Sequence, residues 1–165
     1  MESARRSNHK ETAAQWQLNS ALREAEFGNT EQARQQVRAA LALASSRDTK
    51  ILAALALARL GDTAQAQIIA DTLMKEFPGN TLLNNYWVPT IRGYIEIVRG
   101  NPAKALNHLE SAVPYDLAFP LPQCEEGGLL YPAYVRGQAH ILLRQGKEAS
   151  VELQKLVDHR GATSW

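Results

Sequence analysis

Reactive chemistry in these 165 residues has to come from four histidines, a single cysteine and the 17 Asp and Glu side chains. None of His9, His108, His140 and His159 pairs with another His, Cys or acidic residue in an HExxH-like arrangement. A zinc site needs three or four convergent ligands, so neither metal nor cofactor is expected. Cys124 stands beside Glu125 and Glu126, a juxtaposition that could serve a nucleophile or a metal. Because all three lie in a Pro/Gly-rich stretch, a solvated acidic turn is the expected reading. No acid, base and nucleophile can be assembled from the motifs present, and the chain is expected to be non-catalytic.

The elements that would position any site are helices. Gly28, Gly61, Gly100 and Gly146 each close a run of apolar, helix-forming residues. Ala21, Ala54, Gly93 and Ala139 lie seven positions before them, and Ala33, Ala66 and Ala105 lie five positions after the first three. Glycine ends a helix in a conformation other residues resist, and small residues on either side let two helices approach closely. The pattern predicts about four helical hairpins, over residues 11–45, 48–78, 80–115 and 129–160, in an all-α fold. Thr30 and Asn80 are candidate caps. Residues 116–130, rich in Pro and Gly, read as a long loop. Pro89 falls inside the third hairpin's first helix, where it either kinks the helix or follows a separate turn made by the extra residues before it.

Composition narrows the partners. Lys and Arg total 18 and are scattered through the helices, so no nucleic-acid footprint is expected. Met1 to Lys10 is polar and lacks the apolar stretch of a signal peptide or a membrane span, so no membrane insertion by this chain is expected. Leu153, Leu156 and Val157 form an apolar stripe on the last helix with no further amphipathic helix after it. The expectation is a piece of a longer protein whose open end can drive self-association.

A small residue, then Gly-Asn or Gly-Asp, then Ala resembles the tetratricopeptide repeat family, and the first glycine interval of 33 residues is close to that family's roughly 34-residue period. Ala40, Ala112 and Pro78 match further positions of the repeat, whereas Leu73, Val151 and Asp158 depart from it. The stretches LREAEFGN, ILAALALARLGD, YWVPTIRGYIEIVRGNPAKAL and YPAYVRGQAHILLRQGKEASVELQKLVDHRG resemble, more narrowly, the C-terminal repeat region of bacterial, particularly acidobacterial, eukaryotic-like serine/threonine kinases. No Gly-rich phosphate loop, VAIK-like lysine, HRD or DFG is present, so any kinase activity is expected outside this chain.

The resemblance implies a right-handed superhelix with a concave groove lined by the first helix of each hairpin. Carrying over the groove positions gives Gln15, Asn19 and Glu26, then Asp48 and Arg59, then Trp87, Thr90 and Tyr94, then Arg136, His140 and Arg144. The implied function is capture of a protein or peptide segment, with rings as anchors and arginines on carboxylates. Two alternatives stay open. Trp87 and Tyr94 can be core residues and the arginines can pair with nearby acids, and the chain can be a sensory module that binds a small ligand and regulates an attached domain.

Overall fold

The computed structural model describes residues 2–117 and 130–160. Its helices are α1 (Glu2–Glu26), α2 (Thr30–Leu43), α3 (Arg47–Arg59), α4 (Thr63–Glu76), α5 (Val88–Val98), α6 (Pro102–Leu109), α7 (Tyr131–Leu142) and α8 (Gly146–Asp158). A π-helical turn, Leu83–Trp87, leads into α5, and a 3-10 segment, Glu110–Tyr115, prolongs α6. There is no strand among the described residues. The bulk of the expected 116–130 loop, with Cys124, Glu125 and Glu126, lies outside them.

The helices pack as neighbouring pairs, α1 with α2, α3 with α4, α5 with α6 and α7 with α8. Each pair also touches the next, through α1 on α3, α3 on α5 and α5 on α7, and through α2, α4 and α6 on the helix that follows. Helix α3 is flanked by α1, α2, α4 and α5, which explains a sequence apolar on every side: all residues from Ile51 to Ala58 are buried.

Local chemistry sets the boundaries. Ser46 and Asp62 cap α3 and α4 by accepting from the backbone N–H groups of Thr49 at 3.2 Å and Gln65 at 3.3 Å. Asn80 accepts from Leu83 N–H at 2.9 Å. Thr30 opens α2 instead of capping it; Asn29 takes the cap position, and its amide donates to Glu24 at 2.6 Å. Helix α1 starts at Glu2, well before Glu11, because no Gly or Pro interrupts residues 2–27. Pro89 is accommodated directly behind the π segment of a helical run that is continuous from residue 81 to residue 98, so the preceding residues form a π-bulge in that run and not a separate turn. Its missing N–H would have bonded Asn85 O, and the Ser111 hydroxyl donates there at 3.2 Å.

Gly28, Gly61 and Gly100 are left-handed, with φ of 80°, 80° and 76°. Each closes its helix with the same two bonds, such as Gly61 N–H to Ala58 O and Asp62 N–H to Leu57 O. In the fourth pair those bonds come from Arg144 and Gln145, Arg144 has φ 61°, and Gly146 is the first residue of α8. The expected register is therefore corrected by two residues. Gly137, not Ala139, is the small residue before this turn, and Ala149, not Val151, is the buried alanine after it. Packing is the reason: a Cβ on Gly137 would lie 2.7 Å from Leu153 Cδ2, just as one on Gly93 would lie 2.9 Å from Leu109 Cγ. A turn at Gly146 would move Gly137 out of that contact.

Two outcomes follow from this register. Gly137→Ala should destabilise by about 1–3 kcal/mol through overpacking, and adding Leu153→Ala should cost less than the two changes separately, as read by urea midpoints. Arg144→Gly should stabilise by about 0.5–1 kcal/mol, since a left-handed L-residue costs more than glycine's extra chain entropy; an unchanged or lower midpoint would contradict the strain assigned to Arg144.

Candidate functional site

The side chains brought together on the α1, α3, α5 and α7 row centre on Arg59, in the last turn of α3. Its side chain is 7% exposed, and its guanidinium lies 3.2 Å, through Nη1, from Glu26 Oε2 at the end of α1. Its carbon Cζ stands 5.1 Å from the ring centroid of Tyr94 and 5.4 Å from that of Tyr134. A cation held between two rings and sheltered from water is stabilised by both π-faces. Tyr134 donates its hydroxyl hydrogen to Glu26, so α1 and α7 are joined by a side-chain bond. Arg59 Nη2 and Gln138 Oε1 are buried without a hydrogen-bond partner among the described residues.

Burial dominates the tyrosines here. It raises Tyr94 above its ordinary value, with Arg59 opposing, and raises Tyr134, where acceptance of the proton by Glu26 adds to the effect. Tyr131 is pushed up to about 12 by burial against a partial pull from Arg59 and Arg23. All three stay neutral donors near pH 7. Trp87 is half-buried, edge-on to Tyr86 at 4.8 Å and tilted against Tyr131 at 6.0 Å.

Of the residues expected in a groove, Glu26, Arg59 and Tyr94 therefore meet, with Trp87 packed against Tyr131. Thr90 is buried and spends its hydroxyl on Tyr86 O. Gln15 is buried along α1, and Asp48 pairs with Arg47 at 2.7 Å. Asn19 is half-buried on the α1 stripe whose equivalents in later helices, such as Leu52 and Ile91, are covered. His140 Nδ1 lies 2.7 Å from Gln145 Oε1 at the last turn, and Arg144 is exposed within that turn. The two-residue register shift accounts for the fourth-pair difference: the groove positions assigned to Arg136 and His140 are held by Tyr134 and Gln138. Gly137 and Ala149, aligned with Gly93 and Ala105, carried the signal that would have found them.

Arg136 is 4% exposed and sits between the third and fourth pairs. It donates to Glu152 at 2.8 and 3.0 Å and to Asp116, which also accepts from Lys155 at 3.3 Å. Its Nε and Nη2 are taken up by this network, while its Nη1 and Asp116 Oδ1 are buried without a hydrogen-bond partner among the described residues. For Glu152, burial pushes the carboxyl up, but the Arg136 and Lys155 contacts outweigh it and hold the carboxyl below its ordinary value.

Among the described residues no three His, Cys, Asp or Glu side chains converge as a metal site, and no helix is long and apolar enough to cross a membrane. No family model, no curated protein and no solved structure matches the chain. Function is therefore read from geometry.

Arg136→Ala should cost about 3 kcal/mol or more, because it strands Asp116 and Glu152 in a dry site; a loss below about 1 kcal/mol by chemical denaturation would show the network to be wet. A carboxyl lowered on folding stabilises above its ordinary value and loses that contribution as pH falls through the lowered one. The difference between wild type and Arg136→Ala should accordingly shrink as the pH drops below about 4, measured as urea midpoints at several pH values.

Proposed function

We propose that this chain is a non-catalytic protein-interaction module of the tetratricopeptide type, a right-handed superhelix of hairpins that binds a segment of another protein on its concave face. On the resemblance described above, its setting is the repeat region of a signalling kinase, with catalysis in a domain other than this one.

The observation that carries the reading is the Tyr134 to Glu26 bond between the fourth pair and the first. Helices packed side by side sit 8–10 Å apart, so a straight row would place α1 and α7 roughly 24–30 Å from each other. Contact between their side chains supports a row curled toward this face. Arg59 lies at its centre with one nitrogen on Glu26 and another without a hydrogen-bond partner among the described residues, flanked by two rings. Glu26 holds the place an acidic side chain or C-terminal carboxylate of a partner would take. Its 41% exposed side chain can swing out to solvent, leaving the guanidinium to the incoming group.

The test is selection from a displayed random peptide library on the purified chain. Acidic peptides should be enriched. Arg59→Met should weaken the selected peptides by about tenfold or more, equivalent to roughly 1.4 kcal/mol, with the helical circular dichroism retained. Glu26→Gln should tighten them, since it removes the internal competitor. Peptides that bind Arg59→Met as well as wild type would defeat the proposal, and stabilisation by small metabolites but by no peptide would favour the sensory alternative.

A further inference from the structure

The joints between successive pairs share some buried positions, and at two of these the outer faces of the chain leave a large side chain in solvent. On the side facing the preceding pair, the position twelve residues ahead of the turn shows the pattern most clearly. Thr49, Val88 and Pro132, twelve residues before their respective turn residues, are all buried, and the Thr49 hydroxyl donates to Glu11 of α1 at 2.6 Å. The corresponding residue of α1 is Trp16, which is 71% exposed. One residue before the turn, Leu60 is buried with its carbonyl accepting from Arg34 of α2 and Leu143 is half-buried, whereas Phe27 is 82% exposed; the third pair has an exposed arginine, Arg99, there.

The opposite face behaves in the same way at one position. Three residues before the turn, Ala25, Ala58 and Ile97 all pack in or against the core, while Ile141 of α7 is 56% exposed. Thirteen residues after the turn, Leu41 and Met74 pack against the core, while Val113 and Val157 are 47% and 48% exposed, so this position does not tell the outer face from an inner joint. Burying such side chains contributes about 1.5–3 kcal/mol each, and natural repeat arrays close their ends with polar residues instead.

Charge gives the joint a direction. At the second and third joints an arginine on the later pair's first helix meets an acid supplied by the earlier pair: Arg92 reaches Asp71 at 2.9 Å, and Arg136 reaches Asp116.

We propose that the exposed α1 face carrying Trp16 and Phe27 docks on the exposed α7–α8 face carrying Ile141 of a second copy of this chain, head to tail. The contact is heterologous, so association leaves one face of each kind open and the assembly grows with concentration. The proposal is independent of the inner face, because neither Arg59 nor Tyr134 takes part.

The test uses Trp16→Glu and Ile141→Glu, whose wild-type side chains are already in solvent, with circular dichroism as the folding control. By sedimentation equilibrium the wild type should exceed its 18.2 kDa protomer mass increasingly with concentration. Each variant alone should remain a protomer, and an equimolar mixture should give a one-to-one dimer, because each variant retains the face the other lacks. A wild type monomeric at every concentration, as when further hairpins or another protein cover these faces, overturns the proposal. So does association of either variant alone, or a mixture that stays monomeric.

Discussion

How closely two helices of a pair can approach is the constraint from which the rest of the structure follows. At Gly93 and Gly137 there is no room for a methyl group, because Leu109 and Leu153 from the partner helix occupy it. At the same distance from the turn, the first and second pairs have Ala21 and Ala54, both fully buried. Interiors are packed like organic crystals, so such a contact fixes the axial register of one helix on the other. The turn residue must then fall where the register puts it, even when that residue is an arginine.

The all-α class, the pairing and most turns were legible because they rest on local rules. Left-handed glycines at 28, 61 and 100 and the cap at Asn80 are decided within a few residues of chain, whereas Thr30, read as a cap, lies one residue inside α2. The fourth pair was harder for a physical reason: Gly146 is the residue a helix end prefers, but the contact between Gly137 and Leu153 overrides that preference across sixteen residues of sequence. Arg136 looked like a surface clamp for the same reason, since no local signal places Asp116 and Glu152 around it. The π-turn before Pro89 is likewise stabilised from afar, by the Ser111 hydroxyl. Local propensity is a weak prior wherever a tertiary contact of this kind is tight.

The inner cluster was half visible. Glu26 and Arg59 each lie two residues before their turn, Tyr94 six and Tyr134 ten, so later helices contribute from points progressively nearer their N-termini. This oblique line records how the helices are staggered against one another; carrying over groove positions reached Glu26, Arg59 and Tyr94, and missed Tyr134 because the fourth turn was placed two residues too late. The same stagger lets a tyrosine from the last pair and a glutamate from the first share one guanidinium.

That shared bond changes the mechanics of the chain. A row of units that touch only their neighbours frays from its tips, and each unit can melt nearly on its own. Once Tyr134 is fastened to Glu26, pulling the first pair loose strips a partner from the last, so the termini become thermodynamically coupled. The row then acts less like a string of beads than like a buckled belt, in which slack at one end is felt at the other.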